Sequence, residues 1–318
     1  MTTATAAAQG FFPLDVVWRI GDSLRNRLSQ ETVSVATHMS FEAVSEVLER
    51  VGQVRVPPTT VWRQVQHKHH QQVGVERTCW EHTAYDPQAR VGLSLDGGMV
   101  YVREEGWKEL KVGSIGTLER PWTPDKQVVK LNDLHYVGGV GAVERFRATF
   151  GELALRRGVM YAGHTGVTAD GAAWIWRVAS DLFPCSGQIG DWYHATQHLA
   201  QAAAERYPSD PGAACGWQKQ LKGLLFQGHI DPIVAALQTV GAGKHQGYFK
   251  EHQRRMQYQE FWEMGYPIGS GAVESGIKQF KQRLTGAGMR WSRPALERMV
   301  TLRAAALSRT FAVLWDAA

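Results

Sequence analysis

The spacing of apolar residues changes at Arg90, and this change limits the chain to a mixed architecture. From about residue 15 to residue 72 apolar positions recur at helical intervals, whereas VGLSLDGGMVYVREEGWKELKVGSIGTLE alternates as strands do and has glycine at its turns. Strand-like runs follow at 136–140, at 159–168 and before Asp191, and helical spacing intervenes at 142–155 and 169–182. Strands that alternate with helices predict an α/β sheet flanked by helices.

The same change of spacing predicts two regions. Residues 1–80 are expected to form an all-helical region, and residues 88–318 an α/β domain. Within the second region, about residues 200–262 show helical spacing only. We expect them to form a helical insertion between the sheet and the last acidic helix.

Two short helices are predicted in the N-terminal region. Ser40 is placed to cap a helix through FEAVSEVLER, and Pro58 or Thr59 to begin a second helix. Two short helices joined by a tight turn are typical of a helix-turn-helix, in which Arg63 and Gln64 would reach phosphates or base edges. The alternative is a helical region that only dimerises.

The segment GYPIGSGAVESGIKQFKQRLTGAGMRW, residues 265–291, places one acid at the head of a basic helix. Ser270 or Gly271 can cap this helix, Glu274 falls in its first turn, and an apolar stripe follows at Val273, Ile277, Phe280 and Leu284. The cations of the segment are Lys278, Lys281, Arg283 and Arg290. A carboxylate beside cations suits a metal site next to a phosphate backbone. Alternatively, Glu274 and Lys278 form only a surface pair worth about 0.3–0.5 kcal/mol.

Two aspartates precede that helix at predicted strand ends. Asp96 falls where a strand over 91–95 meets a glycine turn, and Asp191 ends a short strand that leads into a helix. Ligands of open α/β sheets gather at such strand ends. Each aspartate also has an ordinary alternative, as a turn residue for Asp96 and a helix N-cap for Asp191. His194, three residues further on, is a core residue, a phosphate contact or a metal ligand.

A strand hairpin, then helices, a later strand and a final helix follow the order of a ribonuclease H-like fold. That fold would bring Asp96, Asp191 and Glu274 to one edge of the sheet. Three carboxylates around one opening repel each other unless divalent cations lie between them, and hard oxygen ligands favour Mg²⁺ or Mn²⁺.

At these motifs the sequence resembles the DDE transposases of bacterial insertion sequences, most closely the ISKra type. The resemblance covers roughly residues 90–310 and is carried by SLDGG with Asp96, GDWYHA with Asp191 and GYPIGSGAVESGIKQFKQRLTGAGMRWS with Glu274. It implies a two-metal enzyme that cleaves DNA at the ends of its element and transfers the strand into target DNA. Asp96 would bridge two Mg²⁺ or Mn²⁺ ions, with Asp191 and Glu274 each completing one of them.

The resemblance also implies DNA contacts and a homo-oligomer assembled on DNA. Lys278, Lys281, Arg283 and Arg290 would clamp phosphates that flank the cleaved bond. Trp291 would either stack on an unpaired base or belong to the core. Two further interpretations stay open: a nuclease of the same fold that does not transpose, and a catalytically inactive DNA-binding regulator.

Composition agrees with a nucleic-acid partner and excludes other classes. The formal net charge is +5, and the segment 274–315 alone carries eight Lys or Arg against two acids. Cys79, Cys185 and Cys215 are far apart, which argues against a disulfide framework and suggests buried thiols. No run of about 18 apolar residues occurs, and the opening MTTATAAAQG lacks the features of a signal peptide. We therefore expect a cytoplasmic, nucleoid-associated protein that meets no membrane.

Overall fold

The computed structural model describes residues 20–67, 85, 88–119, 129–239, 241–286 and 289–311, with side chains from residue 27 onward. By its internal contacts the chain divides into two units. One comprises Met1–Glu76 with Phe311–Ala318, and the other Arg77–Thr310. Parts of the predicted N-terminal region, residues 1–19 and 68–80, lie outside the described residues, as does Cys79.

Three helices form the described part of the N-terminal unit: α1 (Ile20–Ala36), α2 (Phe41–Arg50) and α3 (residues 58–67). The predicted cap is confirmed, because the Ser40 hydroxyl accepts a hydrogen bond of 3.2 Å from the amide of Ala43. Val61 and Val65 of α3 are buried, whereas Arg63 is exposed and Gln64 is half-buried.

Five strands of the second unit form one mixed sheet. They are β1 (Arg90–Val102), β2 (Gly106–Glu119), β3 (Lys130–Val140), β4 (His164–Ala169) and β5 (Gly187–Gly190), in the order β3-β2-β1-β4-β5. The first three strands pair antiparallel, while β4 is parallel to both β1 and β5. The predicted α/β class with a mixed sheet flanked by helices is confirmed.

Nine helices of the described residues follow or separate these strands. They are α4 (Val143–Arg156), α5 (Ala173–Leu182), α6 (Trp192–Arg206), α7 (Pro211–Phe226), α8 (Ile230–Thr239), α9 (Gly243–His252), α10 (Tyr258–Glu263), α11 (Gly271–Leu284) and α12 (Arg293–Leu307). Short 3-10 turns lie at Val159–Tyr161 and Gln253–Arg255. None of the helices in the described part of the chain is long and apolar enough to cross a membrane.

The two faces of the sheet carry different helices because side chains alternate along each strand. Leu93 and Leu95 of β1 pack in one core with Phe146 of α4 and Ile175 of α5. On the opposite face α11 crosses β1 so closely that a β-carbon at Gly98 would lie 3.5 Å from Ile277. Asp96 shares this second face, since it lies two residues from Gly98. A separate core joins α6, α7, α8 and α9 through Leu199, Leu225, Ile233, Leu237 and Phe249.

Strand β1 is longer than the sequence predicted. Instead of ending at a turn after residue 95, it pairs with β2 through Asp96 and through both following glycines, and the chain reverses near Glu104, which has φ 70°. The glycines serve close packing rather than a turn: a β-carbon at Gly97 would lie 2.6 Å from the Glu109 carboxylate. The prediction that Asp96 ends its strand is therefore wrong.

Three smaller predictions also need correction. The strand predicted at 159–168 begins only at His164 and ends at Ala169. The helix expected from residue 169 begins at Ala173, because Gly171, with φ 115°, lies between it and β4. Cys185 and Cys215, expected to be buried, are exposed free thiols.

Gly276→Ala is expected to lower the free energy of unfolding by about 1–3 kcal/mol, because a β-carbon there would lie 2.6 Å from the Tyr136 ring and push α11 away from the sheet. The matched control is Gly223→Ala in α7, where no atom lies within 4 Å of the new methyl. That change should be neutral or stabilising by up to about 1 kcal/mol. Urea unfolding of the two variants measures the difference, and equal effects would contradict the close contact.

Candidate active site

The register of the parallel strands brings three aspartates side by side. Leu95 of β1 is the partner of Ala169 of β4, and Ala169 is the partner of Gly190 of β5. The next residue in each case is an aspartate: Asp96, Asp170 and Asp191. Since neighbouring strands lie about 4.8 Å apart, the backbone positions that precede the three acids are adjacent across the sheet.

Glu274 completes this group from above the sheet. It lies in the first turn of α11, as predicted, and its Oε1 is 2.8 Å from the hydroxyl of Ser270. The same hydroxyl is 2.7 Å from Oδ2 of Asp191. Ser270 occupies the N-cap position of α11 but makes no capping bond, so its side chain connects two carboxylates instead. A hydroxyl has one proton and can donate it to only one of them at a time.

Asp191 is the most enclosed acid of the group, with only 1% of its surface exposed. Its Oδ1 accepts a bond of 2.6 Å from the amide of His194, which confirms the N-cap interpretation. Its Oδ2 accepts a second bond of 2.6 Å from the amide of Ser270. Protein donors therefore hold both oxygens of Asp191, and this side chain ties the start of α6 to the start of α11.

Asp170 was missed by the sequence analysis and occupies a more open position. It is half-buried at the end of β4, and its Oδ1 accepts a bond of 3.1 Å from the amide of Ala172. Asp170 lies between the other two aspartates in the strand order. Its sequence context, TADGAAW, has the same aspartate–glycine pair that β1 contains at Asp96, and this repetition was the available signal.

The electrostatics of the group are those of crowded carboxylates. Burial raises the pKa of Asp96 to about 6, and the neighbouring charges of Asp170, Glu274 and Asp191 act in the same direction. A hydrogen bond of 2.6 Å from the Gly97 amide opposes this rise in pKa. The site thus concentrates negative charge that the surrounding donors only partly offset.

Divalent cations fit the donor set of this site. Carboxylate oxygens are the ligands that Mg²⁺ and Mn²⁺ prefer, and a cation would relieve the repulsion that contributes to the raised pKa of Asp96. In the described residues, no group of three or more His, Cys, Asp or Glu side chains is arranged closely enough to be recognised as a metal site. Asp96, Asp170 and Glu274 are the acids with the most freedom to turn toward an ion, since Asp191 is held on both oxygens.

His194 belongs to a cluster of rings behind the acids. Its ring lies edge-on to His198, with 5.1 Å between centroids, and His198 stacks on Tyr248 at 4.0 Å. Nδ1 of His198 is 2.9 Å from Nδ1 of His245. Burial lowers the pKa of His198 to about 4, so this ring is neutral at pH 7. A phosphate contact by His194 stays a prediction. The packing of its ring indicates that His194 helps to hold α6 against α9.

The predicted basic residues divide into exposed and buried members. Lys278, Lys281 and Arg290 are exposed, and the Lys281 side chain runs along Gly98 of β1. Arg283 is only 1% exposed and its guanidinium lies 5.0 Å from the centre of the Trp291 ring. Its predicted role as a surface phosphate contact is not compatible with this position, because Arg283 lies on the same buried side of α11 as the apolar stripe.

Trp291 takes the second of its two predicted places, in the core. It is 9% exposed, and its indole N–H donates a bond of 2.9 Å to the carbonyl of Leu284. The backbone of Trp291 is held as well, because the amide of Arg103 donates a hydrogen bond of 2.8 Å to its carbonyl. The ring therefore joins the end of α11 to the end of β1.

Asp96→Asn is expected to raise the free energy of unfolding of the metal-free protein by about 1–2 kcal/mol at neutral pH, after allowance for partial exposure. The folded-state pKa of about 6 exceeds the ordinary value of 3.8. The carboxyl group therefore contributes stability below about pH 4, and this contribution is lost as the pH rises through 6. Urea unfolding in EDTA between about pH 4 and 7.5 should show this loss in the wild type and not in Asp96→Asn. Parallel pH profiles would contradict the raised pKa of Asp96.

The chain matches no protein-family model and no curated protein sequence.

Proposed function

We propose that this chain is a metal-dependent phosphoryl-transfer enzyme that acts on DNA, with the activities of an insertion-sequence transposase: cleavage at the ends of the element and strand transfer into target DNA. The observation that carries the proposal is the alignment of acids from three parallel strands beneath Glu274 of α11. Acidic clusters at the carboxyl ends of parallel strands are suited to hold cations that bind phosphate.

A ribonuclease H-like catalytic domain is part of this proposal. Three antiparallel strands followed by two parallel strands, in the order β3-β2-β1-β4-β5, are compatible with that fold. The helices between β5 and α11 then correspond to the predicted insertion, and the helices of the N-terminal unit to the predicted helix-turn-helix. A DNA-reading role of Arg63 and Gln64 belongs to the proposal.

The acids divide into ligands and a support. We assign Asp96, Asp170 and Glu274 to the ligand set, and Asp191 to the bond network that holds Glu274 through Ser270. Two Mg²⁺ or Mn²⁺ ions bound there would stabilise the entering and leaving oxygens of the phosphodiester.

Single substitutions of the acids test this assignment. Asp96→Asn, Asp170→Asn and Glu274→Gln are each expected to lower Mg²⁺- or Mn²⁺-dependent nicking of the chain's own genomic flanks by about 100-fold or more. Asp191→Asn is expected to cost about 10- to 100-fold, as residues that orient ligands typically do. Folding of each variant is checked by circular dichroism and DNA binding by anisotropy.

The same experiment decides between the candidate second ligands. If Asp170→Asn nicks DNA at the wild-type rate and Asp191→Asn does not nick it at all, then Asp191 and not Asp170 is a metal ligand. If wild type binds DNA and never cuts it, the chain is the inactive regulator considered above. If wild type nicks DNA and no product joins a 3′-OH to a second DNA molecule, it is a nuclease without transposition.

The exposed lysines of α11 supply a separate prediction. Lys278→Ala with Lys281→Ala is expected to reduce the slope of log affinity against log salt by up to about two, because each phosphate contact contributes about 0.9. The matched control is Lys219→Ala with Lys222→Ala, a pair at the same spacing on α7. Fluorescence anisotropy of a labelled duplex over a range of salt concentrations measures the slopes. An equal slope for both double variants would remove α11 from the path of the DNA.

A further inference from the structure

An aromatic cavity lies beside the acidic site and is separate from it. Its volume is about 540 Å³, and its walls include Leu131, Leu134, Trp192, Tyr193, Trp262 and Tyr266. The turn around Gly269 and Gly271 closes one side. Trp192 and Tyr193 directly follow Asp191, while the two glycines flank Ser270. The cavity and the acidic site therefore share two segments of chain.

The lining of this cavity selects the chemistry of its occupant. Every described residue that lines it is apolar, aromatic or glycine, and these residues include no charged side chain. A phosphate or a charged peptide side chain would find no counter-ion among them and would lose its hydration. A flat, uncharged ring would instead gain stacking contacts with the aromatic walls.

Tyr193 is the side chain best placed to stack on such a ring. It is 65% exposed, whereas Trp192 and Trp262 are half-buried and Tyr266 is buried. A β-carbon at Gly269 would lie 2.9 Å from the Tyr193 ring and 3.8 Å from Oδ2 of Asp191, so the glycine lets the ring lie against the turn. The amide of Trp192 fixes the same turn by donating a bond of 2.8 Å to the carbonyl of Ile268. An aromatic face is thus held open next to the acids.

We propose that this cavity binds the base of an unpaired nucleotide adjacent to the phosphate at the acidic site, with Tyr193 as its stacking platform. The inference rests on the proposed function, since DNA held at the acids is what brings a nucleotide to the mouth of the cavity. The base enters by leaving the helical stack, which costs least where the strand is unpaired. Recognition by stacking accepts any base, because every base has an aromatic face.

The test compares two duplexes that differ only at one position next to a nick: one carries an unpaired 2-aminopurine, the other an abasic site. The full-length protein is titrated in Ca²⁺, with Mg²⁺ and Mn²⁺ left out, and both anisotropy and 2-aminopurine fluorescence are recorded. The variants are Tyr193→Ala and Tyr193→Phe, and the matched control is Tyr161→Ala, an exposed tyrosine outside the cavity.

Wild type, Tyr193→Phe and Tyr161→Ala are expected to bind the duplex with the unpaired base about tenfold more tightly than the abasic duplex and to quench its fluorescence. Tyr193→Ala should lose both the preference and the quenching while binding the abasic duplex as wild type does. Equal affinity of wild type for the two duplexes, or an undiminished preference in Tyr193→Ala, would overturn the inference and leave the proposed function intact. Failure of wild type to bind either duplex would instead contradict the proposed function, and the inference with it.

Discussion

Repulsion between carboxylates on neighbouring parallel strands is the constraint on which the arrangement of this site depends. Asp96, Asp170 and Asp191 follow each other across three parallel strands, and Glu274 faces them from α11. The chain offsets part of this charge with helix N-termini, since Asp191 caps α6 and Glu274 lies in the first turn of α11. Burial raises the pKa of Asp96 to about 6, and the charges of the neighbouring carboxylates add to this rise.

Much of the architecture could be predicted because it follows from patterns of residues that are close together in the sequence. The change of spacing at Arg90, the cap at Ser40 and the acidic first turn of α11 each depend on residues close together in sequence. Asp170 could not be found in this way. Its role depends on which residues of β1, β4 and β5 are partners, and register follows from tertiary packing rather than from any one segment.

Glycine and arginine caused the remaining errors, for one physical reason: their local signal is ambiguous. Gly97 and Gly98 look like a turn, but in the structure they allow Glu109 and α11 to approach the strand. Arg283 looks like part of a basic surface, but it lies on the inner side of α11 over Trp291. The basic surface that α11 can offer to a polyanion is consequently smaller than the charge of its sequence indicates. In α12, Arg293 forms an ion pair with Glu105.

The double tie made by Asp191 has a consequence for how the molecule can move. Its carboxylate accepts hydrogen bonds from the amide of His194 at the start of α6 and from the amide of Ser270 at the start of α11. Since α6 packs in the core of the helices that follow β5, that core and the turn that leads to Glu274 are linked through this one side chain. A shift of α6 and a shift of the start of α11 would therefore be coupled at a single carboxylate.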